Sequence, residues 1–210
     1  MANLITLARF LLLFLLIAMA YRAAPEWQLV NMPLLVFIII LDGVDGYVAR
    51  KRRETSVFGS IFDIAVDRVV EYVLWIVLGH LELVPMWVAI VFIIRGTVVD
   101  SIRYAAISEG ETAFGMMRSS LGRFLVASRF MRGLYGALKA VTFGWVLLIQ
   151  PWPALDPAAW SEWSRASEII TMSLVYASVA LCIARGIPVI VEFVIDQKVF
   201  RRHSAAGETR

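Results

Sequence analysis

The chain has 210 residues, of which 60% are hydrophobic and 18% are charged, whereas soluble domains are nearer half apolar and a quarter charged. This composition excludes an ordinary soluble globular protein and indicates a chain that lies in lipid. The formal net charge of +3 says little about partners, and we expect no nucleic acid among them. Cys182 is the single cysteine, which excludes an intrachain disulfide and a thiolate metal cluster.

Six apolar stretches are long enough to cross a membrane, which takes about 20 helical residues. They cover approximately Leu4–Tyr21, Asn31–Arg50, Val57–Leu81, Val84–Ala105, Leu134–Ile149 and Ile169–Phe193. The first stretch lacks a preceding basic region, and Arg9 interrupts it, so we interpret it as a retained membrane helix rather than a signal peptide. The predicted fold class is all-α: a polytopic membrane protein with one domain over residues 1–200 and a cytoplasmic tail over residues 201–210.

Basic residues are concentrated in alternate loops, and the positive-inside rule places these loops in the cytoplasm. They are Lys51, Arg52 and Arg53, then Arg118, Arg123, Arg129 and Arg132, and finally Lys198, Arg201 and Arg202. The segment Phe114–Arg132 mixes basic and apolar residues, which predicts an amphipathic helix on the cytoplasmic membrane surface. We therefore expect an integral protein of a bacterial inner or cell membrane, with both termini in the cytoplasm.

Carboxylates occur in two neighbouring membrane helices, where a charge costs a few kcal/mol or more and indicates function. Asp42 and Asp45 are three residues apart near the end of the second helix, and Asp63 and Asp67 are four apart near the start of the third. Each pair therefore shares one helix face. Because a short connection makes the helices antiparallel neighbours, we expect the two acidic faces to meet around cations. Oxygen ligands of this kind favour magnesium, manganese or calcium.

Two glycines and an arginine accompany these acids. Gly46 and Gly59 each lie within one turn of an acid, and Arg50 follows on the second helix. Glycine permits close approach of a backbone or a ligand, and a dimetal site beside a cation is suited to phosphoryl transfer. The structural alternative is that the acids form salt bridges with Arg50, Arg52 and Arg68.

The same residues resemble the signature of the CDP-alcohol phosphotransferase family, also called the CDP-alcohol phosphatidyltransferase family. That signature is D-x2-D-G-x2-A-R-x8-G-x3-D-x3-D, and the segment from Asp42 to Asp67 fills all eight fixed positions over 26 residues. The start of the chain, with Asn3, Thr6 and Arg9, also resembles the N-x-x-T-x-x-R opening that is common in the family. The six-helix layout extends the resemblance over nearly the whole chain.

The resemblance implies a transferase of phospholipid biosynthesis, usually homodimeric, whose site is open to the cytoplasm and the lipid. Its expected cofactors are two divalent ions, Mg²⁺ or Mn²⁺, which bind the diphosphate of CDP-diacylglycerol. The implied metal ligands are Asp42, Asp45, Asp63 and Asp67, and the implied CDP-binding residues are Asp42, Gly46, Ala49, Arg50 and Gly59. Asp67 would also act as general base on the acceptor hydroxyl, which attacks the β-phosphorus so that CMP leaves.

Intramembrane cations in the fourth and fifth helices indicate an anionic acceptor, whose phosphate we assign to Arg95, Arg103 and Lys139. The two arginines resemble the R-E-x6-R of phosphatidylglycerophosphate synthases, and Lys139 resembles the last residue of their G-K-x-K. The chain departs from these patterns at Gly96, where they have Glu, and at Ala137, where they have Lys. Despite these departures, the resemblance at Arg95, Arg103 and Lys139 makes glycerol 3-phosphate the leading acceptor among small polyols and polyol phosphates.

Other interpretations stay open at this point. Asp67 followed by Arg68 is closer to the D-R of inositol-type synthases, so an inositol phosphate is the second acceptor and a non-phosphorylated alcohol the third. Glu71 has either an ordering role or a structural hydrogen bond, and Arg185, near Pro188, either reaches a phosphate or extends to the membrane interface. Intramembrane acids are also typical of ion or metabolite transporters, and an inactive scaffold is a further alternative.

Overall fold

The computed structural model describes residues 2–52, 57–108 and 119–196, and within the helices it leaves the side chains of residues 2–3, 45–52, 57–58, 60, 107–108 and 196 undescribed. Every regular element in the described ranges is helical, which confirms the all-α prediction. The helices are α1 Ala2–Arg22, α2 Pro25–Gln28, α3 Asn31–Arg52, α4 Val57–His80, α5 Met86–Ser108, α6 Ser120–Gly122, α7 Arg129–Ile149, α8 Trp152–Leu155 and α9 Pro157–Asp196, with a π-helical turn at Arg123–Ala127.

Four segments of the described chain are long and apolar enough to cross a membrane. They are Leu4–Arg22, Pro25–Val44, Arg129–Leu155 and Pro157–Ile195. With 24 and 23 residues, α4 and α5 are also long enough, but both contain at least three charged side chains, which lower their apolar character. The four spans agree with an integral membrane protein, and the count of six stays a prediction.

The segment predicted as an amphipathic surface helix, Phe114–Arg132, is divided differently in the structure. Residues 114–118 lie outside the described part of the chain, α6 and the π turn follow, and Arg129 already belongs to α7. Ser128 has extended backbone, and its Oγ accepts a hydrogen bond from the Met131 N–H at 3.1 Å. This cap starts α7 earlier than the hydrophobic pattern predicted, and the surface helix itself stays a prediction.

The last membrane helix is longer than the hydrophobic pattern predicted. Its first residue is Pro157, and the Asp156 carboxylate accepts a hydrogen bond from the Ala159 N–H at 2.9 Å. An aspartate cap followed by proline is a favourable helix start, so α9 begins well before Ile169. The helix also continues through Pro188 to its end.

The described helices form two compact units, and the first comprises Met1–Ile90 and Ala137–Ser178. In this unit α1 packs against α3 and α4. The buried side chains between helices include Leu13, Leu16, Leu35, Ile38, Leu74 and Trp75. The rings of Tyr21 and His80, each near the carboxyl end of its helix, lie 5.5 Å apart, so α1 and α4 run in the same direction.

The second compact unit comprises Val91–Gly136 and Val179–Arg210. Its core consists of Val99, Ile102, Ala106, Val126 and Val189. Arg185 of α9 is buried and donates to the carbonyl oxygens of Leu125 at 2.6 Å and Val126 at 3.4 Å. Because a π turn interrupts the regular helical hydrogen bonds, Arg185 satisfies carbonyls at that turn. The prediction of a single domain over residues 1–200 stays a prediction.

Candidate metal and substrate site

Three of the predicted metal-binding carboxylates lie together in the first compact unit. Asp42 comes from α3, Asp63 and Asp67 come from α4, and one oxygen of each lies within 4.8 Å of the others. The spacing of four residues places Asp63 and Asp67 on one face of α4. Because α3 reaches this level at its carboxyl end and α4 at its amino end, the acidic faces of the two helices meet.

A buried arginine contacts all three carboxylates. The Arg9 Nη1 atom lies 2.6 Å from Asp42 Oδ1 and 3.2 Å from Asp63 Oδ1, and its Nη2 atom lies 2.7 Å from Asp67 Oδ1. The Arg9 side chain is 3% exposed, whereas the three acid side chains are between 40% and 48% exposed. The guanidinium therefore forms the floor of the site, and the carboxylates are accessible from outside.

This group of oxygen atoms fits a divalent cation. Magnesium and calcium bind carboxylate oxygens at about 2.0–2.6 Å, so oxygens within 4.8 Å of one another can share an ion. The single guanidinium offsets one of the three carboxylate charges, and the group still attracts cations. Hard oxygen donors without sulfur favour a magnesium- or manganese-type ion over softer metals.

Arg9 is the site residue whose contacts the sequence pattern missed. The structural alternative paired the acids with Arg50, Arg52 or Arg68. The side chains of Arg50 and Arg52 lie outside the described part of the chain, and Arg68 Nη1 contacts Glu71 Oε2 at 3.1 Å. The sequence does contain a signal for this role. Arg9 is a charge inside an apolar helix, about 10 Å from the start of that helix, and charged residues in membrane helices are functional by default.

The other predicted CDP-binding and metal residues are described only in part. Asp45, Gly46, Ala49 and Arg50 have helical backbone in α3, but their side chains lie outside the described residues. Gly59 lies in the first turn of α4, one turn before Asp63, and is partly buried. Their roles toward metal and CDP stay predictions.

Lys139, predicted to bind the acceptor phosphate, contacts a buried glutamate in the first compact unit. Its Nζ atom lies 2.8 Å from Glu71 Oε1, and Glu71 is 8% exposed. Glu71 follows Asp67 by one turn on the same face of α4. The ion pair therefore holds the Lys139 ammonium group, on α7, against α4, the helix that provides Asp63 and Asp67.

The other two predicted acceptor residues, Arg95 and Arg103, lie on α5 in the second compact unit. The Arg95 Cζ atom is 5.9 Å from the centroid of the Tyr135 ring, and the Arg185 Cζ atom is 5.4 Å from it, which is within cation–π range. A Cβ atom at Gly186 would lie 2.9 Å from Arg95 Cγ, so glycine allows this close approach. The sequence pattern did not single out Tyr135 or Gly186 for this contact.

Comparisons with known proteins agree with the acidic motif. A model of the family described as CDP-alcohol phosphatidyltransferase matches residues 1–195. The chain is also 31% identical over 127 residues to the CDP-diacylglycerol–glycerol-3-phosphate 3-phosphatidyltransferase of Bacillus subtilis (strain 168). That alignment covers 55% of this chain and 66% of the relative, slightly less than two thirds of the relative's length.

Proposed function

Because the chain belongs to the CDP-alcohol phosphatidyltransferase family, as the motif predicted, we propose that it transfers a phosphatidyl group from CDP-diacylglycerol to glycerol 3-phosphate. The observation that supports this most directly is the group of Asp42, Asp63 and Asp67 oxygens within 4.8 Å of one another. The name of the Bacillus subtilis relative supports glycerol 3-phosphate as the acceptor. Family membership favours this reaction over a transporter, and the complete set of motif acids favours it over an inactive scaffold that retained the fold.

Each clustered acid has a role in this proposal. Asp42, Asp63 and Asp67, together with Asp45, hold two divalent ions, Mg²⁺ or Mn²⁺, which neutralise charge on the diphosphate when bound. Asp67 accepts the proton of the acceptor hydroxyl, and its contact with Arg9 fixes its orientation. The acceptor oxygen forms a bond to the β-phosphorus, the bond from that phosphorus to the CMP oxygen breaks, and CMP leaves.

The remaining predicted residues are proposed to bind the two substrates. Residues that shape the CDP pocket are Gly46, Ala49, Arg50 and Gly59. Lys139 binds the phosphate of the acceptor, and Arg95 and Arg103 are further proposed ligands of that phosphate. The support for Lys139, Arg95 and Arg103 is that each is a cation within an apolar helix, because a charge inside a membrane is energetically costly and indicates function.

We also propose that the chain has six membrane spans and an amphipathic surface helix and that it forms a homodimer. The site is proposed to lie on the cytoplasmic side of a bacterial membrane. The distribution of Lys and Arg among the loops supports the orientation. The homodimer rests on the family resemblance. The mass of the purified protein–detergent complex, corrected for bound detergent, tests it, and a monomeric mass would contradict it.

The acceptor is tested with purified protein, CDP-diacylglycerol, Mg²⁺ and a panel of glycerol 3-phosphate, inositol phosphate and glycerol. We expect CMP release at least about tenfold faster with glycerol 3-phosphate than with glycerol, because a site built for a phosphate loses at least about 1.4 kcal/mol without it. We also expect faster release with glycerol 3-phosphate than with inositol phosphate, in line with the name of the Bacillus subtilis relative. Removing divalent ions with a chelator should stop the reaction, and Mg²⁺ or Mn²⁺ should restore it.

The outcomes of this panel separate the hypotheses. Faster reaction with inositol phosphate would retain the family reaction and change the acceptor. If none of the acceptors gives CMP release, and a solute is taken up in a metal-dependent manner into liposomes that lack CDP-lipid, the result would instead favour a transporter.

Replacement of Gly186 by alanine tests the proposed role of Arg95. The added methyl group would lie 2.9 Å from Arg95 Cγ, so the arginine has to move. We expect the KM for glycerol 3-phosphate to rise about threefold to tenfold, since a weakened charged hydrogen bond costs about 1 kcal/mol, with little change in the KM for CDP-diacylglycerol. Gly133→Ala is the matched control, because a Cβ atom there meets nothing within 4 Å. If the KM for glycerol 3-phosphate is the same in Gly186→Ala as in Gly133→Ala, the result would contradict Arg95 as an acceptor ligand.

A further inference from the structure

We propose that Glu71 is a positioning residue that sets the affinity for a phosphorylated acceptor by holding Lys139 near Asp67. This inference rests on the proposed function, because it assumes an acceptor that has both a reacting hydroxyl and a phosphate. Glu71 lies outside the eight-position motif, and the reaction scheme above gives it no role.

Glu71 is a buried carboxylate that contacts two cations with separate oxygen atoms. Lys139 Nζ lies 2.8 Å from Oε1, and Arg68 Nη1 lies 3.1 Å from Oε2. Burial of a carboxylate is costly unless it is paired, and the two contacts account for its position. An ammonium group has three N–H donors, so Lys139 can donate to an anion while it remains paired with Glu71.

The position of this cationic group relative to Asp67 indicates the kind of acceptor that it suits. Four residues separate Asp67 from Glu71, a rise of about 6 Å along α4, and both side chains project from the same face. An alcohol whose hydroxyl and phosphate are separated by a short carbon chain would bridge this distance. Its hydroxyl would then approach Asp67 while its phosphate contacts Lys139. The geometry points to a small polyol phosphate rather than a free alcohol.

A lysine needs such a partner because its side chain is flexible. Its four-carbon stem has about 2 kcal/mol of rotamer entropy, which is lost when the ammonium group binds a phosphate. An ion pair with a buried carboxylate restricts the stem in the free enzyme, so less entropy remains to be lost on binding. Glu71 would thus lower the KM for the acceptor without contacting the acceptor itself.

The test compares Glu71→Gln, Lys139→Met and the double variant, each purified in detergent. For Glu71→Gln we expect the KM for glycerol 3-phosphate to rise about tenfold, equivalent to about 1.4 kcal/mol. The KM for CDP-diacylglycerol and kcat should stay within about twofold. In the Lys139→Met background, the Glu71 change should add little, because the two residues act as one unit. Glu82→Gln, at an exposed position just after α4, is the control.

The possible outcomes separate this inference from the proposed function. A wild-type protein that releases no CMP with any phosphorylated acceptor would contradict the proposed function itself. An active wild type, with an unchanged acceptor KM in Glu71→Gln or with independent effects of the two substitutions, would overturn only the role of Glu71. A loss of thermal stability with an unchanged KM would show a purely structural ion pair. If Glu71→Gln does not fold, Glu71→Asp, which retains the charge but reaches less far, decides the question by the same KM comparison.

Discussion

Replacement of Asp67 by asparagine should lower kcat for CMP release by about 10²-fold to 10⁴-fold. Asparagine has nearly the same size but cannot accept the proton of the acceptor hydroxyl, and a positioned general base contributes a factor of this size. The substitution also removes one of the three clustered carboxylates, so binding of the divalent ion should weaken as well. The measurement is the initial rate of CMP release at saturating CDP-diacylglycerol and acceptor over a range of Mg²⁺ concentrations.

The Mg²⁺ titration separates the two roles of Asp67. If saturating Mg²⁺ restores the wild-type rate, Asp67 is a metal ligand only and the general base lies elsewhere. A rate that stays low at every Mg²⁺ concentration is the expected result. Glu168→Gln, an exposed carboxylate on α9, is the control and should retain the wild-type rate. A similar loss in the control would show that the assay reports a general effect of lost charge.

Replacement of Arg9 by glutamine should lower the melting temperature of the metal-free protein by about 4–8 °C. The guanidinium contacts three carboxylates, and its removal leaves their mutual repulsion unbalanced. Breaking a buried ion pair costs about 3–5 kcal/mol. Because the acids are partly exposed, screening reduces this to about 2 kcal/mol, which corresponds to the stated shift for a chain of this length.

Divalent ions should recover more stability in Arg9→Gln than in the wild type, because the ion replaces the missing positive charge. The measurement is the melting temperature with and without Mg²⁺, which requires no substrate and no activity. Arg22→Gln, an exposed arginine at the opposite end of α1, is the matched control. Equal stabilisation by Mg²⁺ in the wild type and in Arg9→Gln would contradict the view that Arg9 and the ion share the same carboxylates.

The approach of Asp42 to Asp63 and Asp67 was predictable because it depends on local rules. Helix periodicity places Asp63 and Asp67 on one face, and the short connection between α3 and α4 forces the two helices to be antiparallel. The contacts of Arg9 are different, since 58 residues separate it from Asp67. Hydrophobic periodicity in α1 does not specify which of its faces meets α3 and α4. That choice depends on packing between helices that are distant in sequence.

The helix starts illustrate a second limit. α7 begins after Ser128 and α9 begins after Asp156, and in both cases a capping side chain accepts a backbone hydrogen bond. Such caps are local signals, but a search for apolar stretches ignores polar residues at the ends of helices.

The pair between Glu71 and Lys139 was not predictable for another reason. Each residue was visible as an intramembrane charge, yet their contact depends on the packing of α7 against α4 in the first compact unit.

The position of Arg9 has a consequence for how the protein is made. A carboxylate that enters lipid alone costs about 2.5–3.5 kcal/mol, and the acids of α3 and α4 include the three that contact Arg9. Their counter-charge, Arg9, lies on α1. Because α1 precedes α3 and α4 in the chain, it is synthesised before them. Arg9 thus balances part of the negative charge of these helices before any ion binds. Assembly in the membrane would then depend less on the supply of divalent ions than the proposed reaction does.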